Sequence, residues 1–204
     1  VNSRKSLQLK YRLCLIGWGL NALLLAVGVN RIPVLGRFWS NGKRLAAKWL
    51  SSGRGVPVFL DGQITYIHPF AIAYSINAWE PYTTQLFQKV LNPGSIVLDI
   101  GAHHGYFSLL AARHVGPEGK VYAFEPAPEN FQILKTNIEL NHLSNVIPVN
   151  MAVSDKCSTV PFFSREQTGV TGSLFSSNHE EESTISVNCV TIDQFMSGET
   201  IDIV

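Results

Sequence analysis

The chain has 204 residues, of which 46% are hydrophobic and 15% are charged, and its formal net charge is +1. This composition is typical of a globular protein and excludes a disordered or a collagen-like chain. A chain of this length accommodates one medium-sized domain with an appendage, and a core of that size needs no disulfide bonds.

The small net charge hides two oppositely charged parts. Residues 1–54 contain ten basic residues and no acidic ones, whereas residues 55–204 contain six basic and fifteen acidic ones. The charge of the first part is therefore +10 and that of the second is −9. We predict two parts with different physical roles: a basic, apolar and helical N-terminal segment at 1–54, and a domain at 55–204.

The basic segment contains a candidate membrane helix at residues 13–30, which are all uncharged. As a helix this stretch would be about 27 Å long, slightly less than the roughly 30 Å hydrocarbon thickness of a bilayer. Basic residues on both sides favour a helix that lies on an anionic membrane surface. A helix that spans the membrane, a helix packed against the following domain and a signal-like segment are the alternatives. Nucleic acid is disfavoured as a partner, because no nucleic-acid motif accompanies the basic residues.

The domain begins with a predicted β-hairpin at 56–60 and 63–67, joined by Asp61-Gly62, and a helix follows between Pro81 and Asn92. Three buried strands then alternate with two helices, which predicts an α/β fold with a parallel sheet covered by helices. Pro148 cannot donate to a strand ladder, so the third strand is expected at the sheet edge, in the order 3-2-1. The three strands are predicted at 96–100, 120–124 and 145–149, and the two helices at 106–115 and 128–141.

The last part of the chain predicts a mobile loop at 164–183, a strand at 185–191 and a terminal strand at 201–204. No turn, cap or polar tail follows this terminal strand. Since an apolar strand of a parallel sheet normally pairs on both sides and leads into another element, we expect the sequence to be a fragment that continues past Val204.

The candidate ligand-binding motif joins the first buried strand to the helix after it. Asp99 ends the strand, Gly101 lets the backbone turn and a ligand approach, and Gly105 permits close packing of the helix on the strand. The GxxxG spacing differs from the dinucleotide pattern GxGxxG, so an NAD-dependent oxidoreductase is a disfavoured alternative. Asp99 would repel a pyrophosphate but suits the ammonium and sulfonium groups of a ligand such as S-adenosylmethionine.

A second acidic residue follows the neighbouring strand. Glu125 comes directly after the strand at 120–124, where a carboxylate can accept hydrogen bonds from both hydroxyls of a ribose. Asp99 alone could be a strand-end cap, and Glu125 alone a solvated carboxylate. Together in one βαβ unit they predict a nucleoside site. Histidines elsewhere in the chain and the three cysteines show no metal-ligand spacing, so we predict no metal, and the unpaired cysteines favour a cytoplasmic protein.

Further segments match a known family. They are residues 80–84, Pro93-Gly94 and residues 97–112, 124–126, 152–155 and 190–193. Because of these segments, residues 56–204 resemble the FkbM family of S-adenosylmethionine-dependent methyltransferases. The resemblance implies a Rossmann-like methyltransferase sheet, with parallel order 3-2-1-4 in the part present. It also implies methyl transfer, in many members to an oxygen of a sugar, a lipid-linked glycan or a natural product.

The resemblance also implies roles for individual residues. The loop 99–105 would line the methionine moiety, and Glu125 would hold the ribose. His103 and His104 stand where family members usually have Asn and an aliphatic residue, so His103 is either a loop residue that acts through its backbone or a base near the methyl group. Glu80 is a contact to donor or acceptor, or a helix cap. The remaining cofactor residues implied are Gly101, Ala102 and Gly105 in the loop, and Asn150 and Ala152 on the adenine side.

These observations together predict a methyltransferase that works near a membrane on a small-molecule, glycan or lipid-linked acceptor. The family segment resembling Lys-Ile-Asp-Val-Glu-Gly would begin just after Val204, so the acceptor half is expected to be largely missing from this sequence. A protein that binds the cofactor without catalysis, or a membrane scaffold, is the alternative from another functional class.

Overall fold

The structure is a computed structural model of the chain, and it describes residues 55–69, 71, 80–165, 172–174 and 182–204. The chain divides into two compact units, Val1–Trp79 and Glu80–Val204. The basic segment 1–54, with the candidate membrane helix at 13–30, lies outside the described residues, and the predicted domain boundary after residue 54 stays a prediction. Among the residues that are described, no helix has the length and apolar character needed to cross a membrane.

The described part of the first unit contains the predicted hairpin. Strand β1 (Val56–Leu60) pairs antiparallel with β2 (Gln63–Ile67), and Val56 lies opposite Ile67. Asp61 and Gly62 have positive φ angles of 51° and 71°, as the tight turn requires. The Asp-Gly dipeptide therefore predicted this turn correctly, because these two residues tolerate the left-handed backbone that two-residue hairpins need.

The second unit contains the predicted alternation of helices and parallel strands. Strand β4 lies in the middle of a three-stranded sheet, between β3 and β5, and both of its pairings are parallel. The predicted α/β class is confirmed. Pro148 lies in β5 opposite Ala123 of β4. The elements in chain order are α1 (Pro81–Val90), β3 (Ile96–Ile100), α2 (Tyr106–Val115), β4 (Lys120–Phe124), α3 (Pro128–Leu140) and β5 (Val146–Val149).

The end of the chain lies beside β3. Ile203 forms a single parallel bridge with Val97, and its carbonyl accepts the N–H of Leu98 at 2.9 Å. The strand predicted at 201–204 is thus reduced to one bridge. The fourth position of the predicted strand order stays a prediction, because one bridge does not make a strand of the sheet.

A second sheet was not predicted from the sequence. Its strands lie in the order β6 (Ala152–Val153), β9 (Glu182–Val190), β7 (Ser158–Arg165) and β8 (Gly172–Ser173), and helix α4 (Ile192–Met196) follows. Strands β7 and β9 pair antiparallel along the whole length of β7. The predicted loop at 164–183 was wrong at both ends, since Ser164, Arg165 and the start of β9 extend this pairing.

The core of the second unit lies between the parallel sheet and helices α2 and α3. Val97 of β3, Val121 of β4 and Leu134 of α3 are inaccessible to solvent. On α2, Leu110 and Ala111 are equally buried. This apolar layer packs α2 against β3 and β4, the elements between which the sequence motif lies.

Candidate functional site

The loop between β3 and α2 makes a sharp bend at the carboxyl end of the parallel sheet. The N–H groups of Gly101 and Ala102 both donate to the carbonyl of Phe124, each at 2.9 Å. Gly101 has a φ of 81° and is exposed, and a Cβ added there would have no atom within 4 Å. The bend therefore presents bare backbone to an open space, which a ligand can approach closely.

Asp99 lies one residue before the end of β3, and its side chain reaches helix α2. Its Oδ2 accepts a hydrogen bond from the hydroxyl of Ser108 at 2.5 Å. Burial raises the pKa of Asp99 above its ordinary value, and the nearby Glu125 charge adds to this, whereas the Ser108 hydrogen bonds lower the pKa. The net effect favours the neutral form of the Asp99 carboxyl group, and the Ser108 hydrogen bonds offset part of this effect.

Glu125 lies directly after β4 and is only 4% exposed. Its Oε2 accepts the N–H of His103 at 2.8 Å, and its Oε1 accepts the N–H of Ala127 at 2.9 Å. Burial raises the pKa of Glu125, while these two backbone donors lower it. The side chain therefore ties the loop after β3 to the start of α3. The amide of Asn150 donates to the carbonyl of Glu125 at 2.8 Å and orders the same strand end.

His103 and His104 form a stacked pair within the loop. Their ring centroids are 3.8 Å apart and their planes are inclined by 28°. His103 has a left-handed backbone with φ 52°, which directs its N–H towards Glu125. The carbonyl of the buried His104 accepts the side-chain amide of Asn137 at 2.7 Å. The hydrogen bond to Glu125 comes from the backbone N–H of His103, and both roles considered for this residue stay predictions.

Gly105 begins helix α2 with a φ of 89°. A Cβ at this position would lie 2.6 Å from Cδ1 of Leu134 and 3.1 Å from Cδ1 of Leu109. The predicted close approach is therefore present, but its partner is helix α3 rather than a strand, because α2 and α3 cover the same face of the sheet.

Two predicted site residues lie on other elements. Glu80 is exposed and precedes α1 with a φ of 47°, and its carbonyl accepts the N–H of Thr84 at 2.9 Å. Its side chain makes no capping hydrogen bond to the helix, so the capping alternative is not observed. Ala152 is buried at the start of β6, in the second sheet. The other candidates lie around the ends of β3 and β4, and they are Asp99, Gly101, Ala102, His103, Gly105, Glu125 and Asn150.

Two buried polar residues of the site were missed by the sequence analysis. Ser108 and Asn137 are 0% and 1% exposed, and each makes a hydrogen bond to the loop or to Asp99. A signal for both exists in the sequence, because each is a lone polar residue on the apolar, inward face of its helix. A buried polar side chain requires a partner, so such a position indicates a specific contact.

The arrangement has a definite chemical character. Two carboxylates, the buried one of Glu125 and the half-buried one of Asp99, flank an open bend at the ends of adjacent parallel strands. Negative charge on both sides suits a ligand that carries positive charge and hydroxyl donors, and opposes a phosphate. Within the described ranges, no three His, Cys, Asp or Glu side chains are grouped so that they could hold a metal ion.

Comparison with known proteins agrees with this chemistry. The family model "Methyltransferase FkbM domain" matches residues 99–204, just over half of the chain. The resemblance predicted from the sequence is thereby confirmed for these residues. The match begins at Asp99 and includes the loop, Glu125 and the second sheet.

Individual relatives match shorter stretches. A tRNA (adenine(58)-N(1))-methyltransferase catalytic subunit from Yarrowia lipolytica is 30% identical over 45% of this chain and 26% of its own length. A protein-L-isoaspartate O-methyltransferase from Aeropyrum pernix is 44% identical over 28% of this chain and 22% of its own length. A crystal structure of a SAM-dependent methyltransferase from Aquifex aeolicus superposes with a TM-score of 0.30 at 28% identity, over 33% of this chain and 36% of that one. The matched region thus spans about a quarter of the length of these sequence relatives.

Proposed function

Because this chain belongs to the FkbM methyltransferase family, we propose that it transfers a methyl group from S-adenosylmethionine to a hydroxyl oxygen of a sugar, a glycolipid or a natural product. The observation that carries the proposal is the pair of carboxylates, Asp99 and Glu125, on either side of the open bend at Gly101. S-Adenosylmethionine would supply the methyl group on a sulfonium, which needs no further activation by the protein.

The residues present fit this cofactor. Asp99 would accept hydrogen bonds from a cationic ammonium group, and the bare backbone at Gly101 would allow the ligand to lie against the loop. Each oxygen of Glu125 holds one backbone N–H but has two acceptor lone pairs, so capacity for ribose hydroxyls remains. Asn150 and Ala152 would lie towards the adenine.

The charge of the domain supports a neutral acceptor. Residues 55–204 carry a net charge of −9, which opposes the approach of a polyanion such as a nucleic acid. A hydroxyl acceptor is uncharged, and it must lose its proton as the methyl group is transferred in line. His103 and Glu80 are the candidate bases, the former within the loop and the latter at the start of α1.

A calorimetric titration with S-adenosylmethionine tests the cofactor assignment in the full chain and in Asp99→Asn. Asparagine keeps the size of the side chain and an oxygen for Ser108 but loses the charge. We expect affinity to fall about 10- to 100-fold, since hydrogen bonds to charged groups contribute about 1.5–3 kcal/mol. The variant should melt no lower than the wild type at pH 8, because burial of the Asp99 charge opposes ionisation.

Unchanged affinity in Asp99→Asn, or no binding by the wild type, would contradict the assignment. Transfer of tritium from labelled cofactor to an acceptor separates an enzyme from a protein that only binds the cofactor. Quenching of NADH fluorescence by the wild type would instead favour the oxidoreductase alternative.

The proposal extends to a location at the cytoplasmic surface of a membrane. The +10 charge of residues 1–54 and the uncharged stretch 13–30 support binding to anionic lipid, next to a lipid-linked acceptor. We expect the full chain to float with anionic vesicles and to stay in the soluble fraction with zwitterionic ones. A variant with Lys43→Glu, Arg44→Glu and Lys48→Glu should float less. Equal flotation with both vesicle types, or of both chains, would remove the basis for this location.

A further inference from the structure

Ser108 occupies an unusual position on helix α2. It is completely buried, and the residues that follow it, Leu109 to Ala112, are buried and apolar. A hydroxyl in such a layer requires a hydrogen-bond partner. Its partner is Oδ2 of Asp99, which lies on strand β3 nine residues earlier. The contact therefore connects the packed helix directly to the carboxylate of the site.

The contact has two physical consequences for Asp99. A donated hydrogen bond favours the charged form of a carboxyl group, whereas burial and the nearby Glu125 favour the neutral form. The hydroxyl also fixes the direction of the carboxylate, because Ser108 is itself held by the packing of α2 on the sheet. One bond therefore acts on both the charge and the orientation of Asp99.

We propose that Ser108 is a positioning residue for the cofactor, whose buried hydroxyl holds the Asp99 carboxylate in the direction of the cationic part of the ligand. This inference rests on the proposed function, in which Asp99 binds S-adenosylmethionine. Ser108 itself does not contact the ligand and acts through Asp99.

The test is a pH series of S-adenosylmethionine titrations on the full chain, with wild type and Ser108→Ala. Loss of the donor raises the pKa of Asp99, so affinity should decline at a higher pH as the solution is acidified. At pH 7 we expect about tenfold weaker binding. Ser108→Thr keeps a hydroxyl and should retain the wild-type profile, and Ser108→Cys, a weaker donor, should be intermediate.

Other titratable groups face the same region, namely Glu125 after β4 and His103 and His104 in the loop. The double variant Asp99→Asn/Ser108→Ala separates the contribution of these groups to the pH dependence of binding from that of Asp99. If Ser108 acts through Asp99, Ser108→Ala in the Asp99→Asn background should change the affinity by no more than about twofold at any pH of the series. A full additional loss there would assign Ser108 a purely structural role and overturn the proposal.

A measurement without ligand distinguishes this inference from the proposed function. The Asp99 carboxyl can be titrated by carbon-detected NMR in wild type and in Ser108→Ala, or in Ser108→Cys if the alanine variant does not fold. An unchanged Asp99 titration overturns the positioning role even where the wild type binds the cofactor. The Asp99 titration midpoint can also be raised in the variant while the wild type binds no cofactor. That result overturns the proposed function, and with it the role of Ser108 towards the cofactor.

Discussion

Replacement of Glu125 by alanine is expected to lower the free energy of unfolding by about 2–6 kcal/mol, because two part-buried backbone N–H groups lose their acceptor at about 1–3 kcal/mol each. These are the N–H groups of His103 and Ala127. The loop after β3 would lose its connection to α3, so S-adenosylmethionine binding should weaken about 100-fold or more. Urea unfolding and calorimetry measure the two effects.

Two control variants sharpen this expectation. Glu129→Ala removes an exposed carboxylate from the first turn of the same helix and should change stability by less than about 1 kcal/mol. Glu125→Gln keeps one acceptor oxygen and should be intermediate. A Glu125→Ala variant as stable as Glu129→Ala would show that the two hydrogen bonds do not hold the loop.

The stability difference between wild type and Glu125→Gln should also depend on pH. Burial raises the pKa of Glu125 in the folded chain. A raised carboxyl pKa means that the folded state binds the proton more tightly than the unfolded state does. Protonation of Glu125 therefore stabilises the folded chain fully below the pKa of an unfolded glutamate, about 4.3. This stabilisation is lost as the pH rises through the raised pKa of Glu125 in the folded chain.

Alanine at Gly105 is expected to destabilise the chain by about 2–5 kcal/mol, which combines about 1–2 kcal/mol of backbone strain with about 1–3 kcal/mol of overpacking. The strain arises from its φ of 89°, and the overpacking from the inaccessible Leu134, whose Cδ1 would lie 2.6 Å from the new Cβ. Thermal and urea unfolding measure this loss.

Gly101→Ala is the matched control, because Gly101 has a similar φ of 81° but no atom within 4 Å of the added Cβ. We expect Gly101→Ala to lower the free energy of unfolding by about 1–2 kcal/mol, from backbone strain alone. Its methyl group would enter the space beside the bend, so cofactor affinity should fall more than stability does. Equal destabilisation by both alanines would contradict the packing argument, and unchanged affinity in Gly101→Ala would show that the ligand does not approach the bend.

The parallel sheet and the two acidic residues were predictable from short stretches of sequence. The apolar run at 96–100 lies between the glycine turns at Gly94 and Gly101, and the run at 120–124 is followed at once by Glu125. Because parallel strands end at the same edge of a sheet, a residue's position relative to its strand is enough to place Asp99 and Glu125 together. The second sheet was missed because β7 finds its partner β9 only after a long intervening segment.

Local patterns along the chain were thus sufficient for the α/β class, the family resemblance and the pair of carboxylates, since strand ends and glycine turns are properties of a few neighbouring residues. The contacts that hold this pair depend on packing between distant elements. Ser108 reaches Asp99 because α2 lies against β3, and Asn137 reaches the carbonyl of His104, 33 residues earlier, because α3 lies against the loop. Such partners follow from how the helices pack on the sheet, which no local pattern of residues encodes.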